Sequence, residues 1–350
     1  MNNIERQCIK QTASILDALS ALDLLSGSSL VLFVINNSEQ VVGTLTDGDI
    51  RRALLKGAQL DTYVKEVMYT SFSYLSVTEI DHTATINAFR KRKITVVPLL
   101  GEDKRLIKVY NLNELRSILP IDAVLMAGGK GERLRPLTEK TPKPLLPVGG
   151  KAIIDHNIDR LISFGVDHIS VTVNYLKEQL EEHFSEPKNG VQVHTVHEPK
   201  FLGTLGSVQF VDAFCHDTIL VMNSDLFTDI DYEDFYLHFK EHNADMSVAA
   251  VPYIVSVPYG IMDLEGRDIK GMIEKPRYNY YANAGIYLIK RQILNLIPDG
   301  EFYNATDLID DLIKMGKSVI RYPINGTWID IGNPQDYAKA KDLVAHMKDC

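Results

Sequence analysis

A glycine-rich stretch with strong potential for phosphate chemistry runs from Ala127 through Gly128-Gly129-Lys130-Gly131-Glu132-Arg133-Leu134-Arg135-Pro136-Leu137-Thr138, followed by Thr141-Pro142-Lys143-Pro144-Leu145. Glycines without a Cβ let backbone amides close on a phosphate chain, and Arg133 and Lys143 can neutralise its charge. The string is neither a Walker loop nor a dinucleotide fingerprint: no Gly-Lys-Ser/Thr follows, and Leu134 stands where a third Rossmann glycine is needed. Two carboxylates add to it. Asp225 follows the apolar run 218–222, and Asp330 closes Trp328-Ile329-Asp330, 105 positions later. Carboxylates at strand ends can hold a hard divalent cation, and Mg²⁺ takes one or two of them plus substrate phosphates. Taken singly, either is equally a loop residue or a helix cap.

Such residues need a scaffold that presents strand ends. After Pro120, apolar runs at 121–127, 169–173, 191–196, 218–222, 246–251 and 282–289 read as strands and alternate with amphipathic stretches. Ile153, Ile154, Ile158, Leu161 and Ile162 make one helical face, and residues 175–184 and 204–214 predict two further helices. The alternation predicts an α/β fold with a Rossmann-like, mostly parallel mixed sheet, its ligands lying outside the carboxyl ends of the strands. The first 119 residues differ. They repeat, weakly, a helix followed by two short strands: 14–25, 30–36 and 40–46, then 84–91, 95–100 and 105–109, with closing helices at 49–55 and 113–119. The pattern predicts a smaller α/β pair, about 1–62 and 63–119, ahead of a larger domain at 120–350.

Composition bounds the partners. The 350 residues are 45% hydrophobic and 24% charged, enough to build two cores. With 37 Lys and Arg against 46 Asp and Glu, the net charge of -9 argues against an electrostatic grip on nucleic acid. No apolar run approaches the roughly 20 residues of a bilayer span, and the polar first ten residues do not form a secretory leader. Cys8, Cys215 and Cys350 show no CxxC pair or metal-type spacing. These features predict a cytoplasmic protein without membrane or nucleic-acid partners and without thiol chemistry.

The string Gly-Gly-x-Gly-x-Arg-Leu-x-Pro-Leu-Thr with Lys-Pro-Leu downstream resembles the signature of the sugar-1-phosphate nucleotidyltransferases, over residues 121 to about 345. Later segments match in order. Leu202-Gly203-Thr204-Leu205-Gly206-Ser207 resembles the family's base-facing turn, with Leu205 in place of a small residue. Asn223-Ser224-Asp225 carries Ser224 where glycine is more usual. Met272-Ile273-Glu274-Lys275-Pro276 is similar to the Glu-Lys-Pro turn, and Asn283-Ala284-Gly285-Ile286-Tyr287 to the strand lining the sugar pocket. The resemblance implies that a nucleoside triphosphate and a sugar 1-phosphate yield a nucleotide sugar and pyrophosphate. It implies Asp225 and Asp330 as Mg²⁺ ligands, Arg133 with the Ala127, Gly128, Gly129 and Gly131 stretch on the leaving pyrophosphate, and Lys143 bridging the nucleotide's phosphates. Gly203 and Thr204 would face the base, Glu274 the sugar hydroxyls, Lys275 the sugar phosphate, and Asn283 with Gly285 the sugar pocket. Considered alone, Glu274 and Lys275 are an ordinary surface pair and Thr204 a helix cap.

Glu198 can accept from N1-H and the 2-amino group of guanine, which uracil and thymine cannot offer, and this leans the reading to GTP. As a solvated loop acid it would leave UTP, CTP and dTTP open. A nucleotide sensor without turnover is the alternative from another class, whereas a kinase would need a Walker-type loop and a base that the sequence lacks.

Residues 1–119 resemble a tandem pair of CBS repeats, a small-molecule-sensing module. Gly43-Thr44-Leu45-Thr46-Asp47-Gly48-Asp49 matches Gly-x-x-Thr-x-x-Asp, which implies that Thr46 and Asp49 face the ribose and phosphate of an adenine nucleotide. Asp49 equally reads as a cap of the helix that follows. The equivalent stretch Val109-Tyr110-Asn111-Leu112-Asn113 lacks the aspartate. A CBS pair in this position also resembles a subgroup of guanylyltransferases acting on amino-sugar or mannose-type phosphates, and a homo-oligomer is the expected assembly.

Overall fold

In the smaller unit two half-repeats build the same small sheet twice. Cys8–Lys10, Val31–Ile35 and Val41–Thr46 form one three-stranded sheet, and Leu75–Ser76, Val96–Leu100 and Leu106–Asn111 the other. In each, a short strand runs parallel to the first arm of an antiparallel hairpin. The parallel step needs a crossover, which the helices Ile15–Leu24 and Thr83–Lys91 supply. Ser14 starts the first with a capping box: its hydroxyl accepts from Asp17 N at 3.1 Å and its own N–H donates to Asp17 Oδ2 at 2.9 Å. Ile15, Leu22, Leu32, Leu45 and Ile50 pack one core, and Leu75, Ile86, Phe89 and Val97 the other. The helix expected over 113–119 does not form. Asn111 turns the chain instead, accepting from Asn113 N at 3.1 Å and donating to Glu114 at 2.6 Å, and Pro120 disfavours helical backbone just before it.

This is a computed structural model that describes residues 3–25 and 30–348, so Cys350 lies outside the described residues. The chain divides into two compact units, Met1–Leu119 and Pro120–Cys350. The larger is built on a seven-stranded sheet of β1 (Ile121–Met126), β2 (Ile169–Val173), β3 (Val193–His197), β4 (Thr218–Asn223), β5 (Met246–Ser256), β6 (Arg277–Lys290) and β7 (Val319–Pro323), in the order β3-β2-β1-β4-β6-β5-β7. Only β6 runs against its neighbours. The central strands are largely apolar because helices cover both faces. Ile154, Ile158 and Leu161 of helix Ile153–Ser163 are fully buried, as are Leu308 and Leu312 of helix Ala305–Lys314. Among the described residues no helix is long and apolar enough to cross a membrane.

Residues 204–214 form only a single tight turn over Gly206–Phe210 instead of a helix. Leu205 N and Gly206 N both donate to Tyr303 O, at 2.9 and 3.1 Å, which fixes the start of this turn. β5 and β6 outrun the expected strands and pair as far as Ser256 and Arg277, beyond which Ile261–Glu265 and Asp268–Ile273 form a hairpin. Most of this arm is solvated on both faces, so it lacks the alternation that marks a half-buried strand.

Candidate functional site

β1 hands the chain to the glycine-rich loop at the carboxyl edge of the sheet. Ala127 N still donates to Thr172 O of β2 at 2.9 Å, and the loop begins at the next residue. At Gly128 a Cβ would lie 1.9 Å from Glu198 Oε1, so only glycine lets loop and carboxylate share this corner. Gly131 has φ +62°, and a Cβ there would press within 3.1 Å of Thr138 and Lys143. Thr138 Oγ1 donates to Gly131 O at 2.8 Å and closes the loop on itself. Lys143 then enters a single turn, Lys143–Leu145, flanked by Pro142 and Pro144, and its buried Nζ bonds Asp225 Oδ2.

The two carboxylates meet through a ribbon. Asp225 follows β4, and Leu226–Thr228 pairs antiparallel with Trp328–Asp330, setting Leu226 opposite Asp330. Ile331 N donates to Asp225 O at 3.2 Å, and Trp328 Nε1 to Ala284 O at 2.9 Å, which ties the ribbon to β6. Asp225 Oδ1 is buried and, among the described residues, has no hydrogen-bond partner. Burial first, and the Asp225 charge second, hold the Asp330 carboxyl above its ordinary range, against the pull of Lys143 and Arg133. An orphaned carboxylate oxygen beside a carboxyl that resists ionisation is a donor set that a hard divalent cation would satisfy on both counts.

Met126, Gly128, Gly129, Arg133, Lys143 and Asp225 line a cleft of about 480 Å³. Ala127, Gly131, Glu198, Gly203 and Thr204 line it too, and Gly332, two residues past Asp330, closes it against Arg133. Glu198 is not a solvated loop acid: it is 2% exposed, and burial raises its carboxyl to about 7 against a single opposing contact from Leu202 N at 3.4 Å. Between the unfolded value near 4.5 and this folded value the native state binds the extra proton, so stability falls as pH rises through that window. Glu198→Gln is therefore expected to melt above the wild type at pH 8, the gap closing towards pH 5. Thermal melts across that range check it, and a pH-independent gap contradicts it.

Thr204 does not cap a helix of its own. Its hydroxyl accepts from Ala305 N at 2.7 Å, serving the start of helix Ala305–Lys314. Asn283 folds back on its own strand, donating to Tyr287 OH and accepting from Gly285 N, both at 2.9 Å. Gly285 abuts the end of β4, where a Cβ would lie 2.6 Å from Asn223 Nδ2. Glu274 and Lys275 sit exposed in the turn before β6 and are not among the residues lining the cleft. In the smaller unit Thr46 is the cap and Asp49 its reciprocal partner: Thr46 N and Oγ1 donate to Asp49 Oδ2 at 2.9 and 2.6 Å, and Arg52 pairs with Asp49 Oδ1. Asn157 was not foreseen. Buried on the helix beneath the site, it donates to Leu226 O at 2.8 Å and steadies the chain just past Asp225. A polar residue inside the Ile153, Ile154, Ile158, Leu161 stripe was the available signal.

Residues 122–346 match the model of the nucleotidyl transferase family. A Sulfolobus acidocaldarius protein assigned as a mannose-1-phosphate guanyltransferase is 30% identical over 223 residues, 63% of this chain and 62% of its own. The bifunctional protein GlmU of Methanocaldococcus jannaschii is 33% identical over 227 residues, 63% of this chain and 53% of its own. The chain thus spans less than two thirds of the length of these relatives. A crystal structure of a Bacillus anthracis protein assigned as a glucose-1-phosphate thymidylyltransferase, in complex with sucrose, shares the fold at a TM-score of 0.50 and 24% identity, over 64% of this chain and 95% of that one. The chain belongs to the nucleotidyl transferase family.

Proposed function

We propose that the larger unit transfers a nucleoside monophosphate from an NTP, with GTP preferred, to a sugar 1-phosphate, giving a nucleotide sugar for glycan precursor synthesis and releasing pyrophosphate. The observation that carries this is the convergence of Asp225, Lys143 and Arg133 on the glycine-rich cleft, with Asp330 beside Asp225. Both substrates are anions, so positioning and charge neutralisation govern the rate. An oxygen of the sugar phosphate attacks the α-phosphorus in line; the bond to the bridging oxygen breaks and pyrophosphate leaves. Arg133 and the amides of residues 128–131 take the leaving group's charge. Lys143 turns from Asp225 to the nucleotide's phosphates, and Lys275 carries the incoming sugar phosphate as the turn before β6 approaches the cleft. Glu274, Asn283 and Gly285 face the sugar, and Gly203 and Thr204 the base. Asp225 and Asp330 would hold Mg²⁺, which when bound supplies positive charge at the α-phosphate. Pyrophosphate release from the full chain, with each NTP against a panel of sugar 1-phosphates, tests the reaction class.

Guanine fits the buried Glu198, which as a carboxylate accepts from N1-H and the 2-amino group. The guanyltransferase among the relatives supports the same base and a mannose-type sugar. A triphosphate substrate suits a cytoplasmic setting.

Self-association fits the arm. Tyr253, Ile254, Tyr259, Met272, Tyr280 and Tyr281 are all more than half exposed on it. At about 150–250 Å² per aromatic side chain, the exposed parts of the four tyrosines alone supply roughly half or more of the roughly 800 Å² per partner of a stable interface. Residues 253–281 balance Arg267, Lys270, Lys275 and Arg277 against Asp263, Glu265, Asp268 and Glu274, a self-complementary composition that favours a second copy. Light scattering is expected to give a dimer mass, and Ile254→Asp with Tyr280→Asp a monomer; a monomeric wild type contradicts it.

The smaller unit fits a CBS-type sensing pair, with Thr46 and Asp49 offered to the ribose of an adenine nucleotide in the first repeat. The twice-used strand, helix and hairpin topology supports this.

A further inference from the structure

At the end of the sheet opposite the cleft, parallel register gathers residues that enter three neighbouring strands. Ile169 pairs with Ala123 and Thr218 with Ile121, so His168, just ahead of β2, and Cys215, just ahead of β4, arrive on either side of Asp122 in β1. Cys215 Sγ lies 3.5 Å from His168 Nδ1. One ligand atom from each of Asp122, His168 and Cys215 falls within 4.8 Å of the other two. Asp122 is 4% exposed in a strand that is otherwise apolar, and the nucleotide chemistry at the far edge has no use for it. Both its oxygens are oriented by His216, through Nδ1 to Oδ1 and backbone N to Oδ2, each at 2.9 Å. The other ring nitrogen of His168 faces Asp167 at 3.6 Å.

We propose that Asp122, His168 and Cys215 bind a divalent transition metal, Zn²⁺ foremost. A thiolate, an imidazole and a carboxylate form a ligand set that suits Zn²⁺, whereas Mg²⁺ and Ca²⁺ prefer oxygen alone. Zn²⁺ bonds of 2.0–2.3 Å in a tetrahedron set donors about 3.3–3.8 Å apart, so the cysteine–histidine contact already has the spacing. With all three donors within 4.8 Å of one another, no pair need close by more than about 1–1.5 Å. That movement falls to His168 and Cys215, which are exposed, while Asp122 stays fixed in the sheet. On binding, the thiol proton of Cys215 passes to solvent and the sulfur electron pair to the metal. Asp167 on the distal nitrogen of His168 and His216 on Asp122 are positioning residues, orienting the ligands as carboxylates and imidazoles commonly do behind a metal. The metal would staple the loops before β2 and β4 to the central strand. The cysteine spacing in the sequence hides this site, because each ligand comes from a different strand entrance.

The test uses the reduced, chelator-treated full chain, with excess Mg²⁺ present to occupy all-oxygen sites, titrated with Co²⁺. The expected result is one equivalent of Co²⁺ with visible ligand-field bands and a near-ultraviolet thiolate-to-cobalt charge-transfer band, bleached by Zn²⁺. Cys215→Ser should abolish the charge-transfer band and Cys8→Ser should keep it, and His168→Ala should weaken binding about tenfold or more. Zn²⁺ should raise the melting temperature of the wild type and not that of Cys215→Ser. Circular dichroism of Cys215→Ser separates loss of the site from loss of the fold. Absence of the charge-transfer band in the wild type, or its survival in Cys215→Ser, overturns the proposal.

Discussion

Asp225→Asn is expected to lower kcat by about 10²–10³-fold while the chain keeps its fold. The substitution preserves shape and removes charge at the corner where β4 meets the ribbon, where among the described residues Oδ1 has no hydrogen-bond partner and Oδ2 pairs with Lys143. An amide offers one neutral oxygen to a cation in place of two charged ones, so the loss should fall on turnover and on the Mg²⁺ concentration needed for half-maximal rate. It should not fall on the sheet, since the backbone ties from Asn157 to Leu226 and from Ile331 to Asp225 remain. Steady-state pyrophosphate release across a Mg²⁺ series checks it. Turnover within a few-fold of wild type at ordinary Mg²⁺ would remove Asp225 from the chemistry.

Lys143→Ala should impair both activity and stability. With its Nζ gone, Asp225 and Asp330 face each other without the ammonium that now balances them. The Lys143 side chain is 10% exposed and that of Asp225 22%, so some of the 3–5 kcal/mol typical of a broken buried pair is screened, leaving about 2 kcal/mol. The sign of the pH dependence follows from Asp330, whose folded carboxyl already titrates above its unfolded value. Such a group contributes stability below the unfolded value that is lost as pH rises through the folded one. Losing Lys143 raises the folded value further, so the variant should lose stability relative to wild type as pH rises through that folded value and recover in acid. Excess Mg²⁺ should restore much of the melting temperature by supplying the missing charge. Turnover should fall by about 10²-fold or more even so, because the nucleotide's phosphates lose a cation. Thermal melts at several pH values, with and without Mg²⁺, read all of this; a deficit that neither pH nor Mg²⁺ changes would contradict it.

The chain reveals in its sequence what is buried or locally patterned. The apolar runs of β1, β2 and β4 are visible because helices cover both faces, and the stripe of Ile153, Ile154, Ile158 and Leu161 because one face of that helix meets the sheet. The meeting of Asp225 and Asp330 was open to motif comparison but not to spacing, since a two-stranded ribbon closes a gap of 105 positions. Glu198 looked like any loop acid because the residues that bury it come from other segments, Gly128 among them. The hairpin at 261–273 and the extensions of β5 and β6 escaped for the opposite reason: solvated on both faces, they have no periodicity to read. The helix expected at 113–119 gives way to the turn that Asn111 makes ahead of Pro120, and the one expected at 204–214 shortens to the turn at 206–210.

Attack falls on the α-phosphorus, within the cleft that holds Asp225, Arg133 and Lys143, if the proposed reaction is the one catalysed. Labelled GTP tests it directly. With Mg²⁺ and mannose 1-phosphate, α-³²P should appear in the nucleotide sugar and γ-³²P in pyrophosphate, in equal amounts and both reduced together by Asp225→Asn. Transfer of the γ label to the sugar, with GDP as the other product, would show a phosphotransfer reaction in place of nucleotidyl transfer.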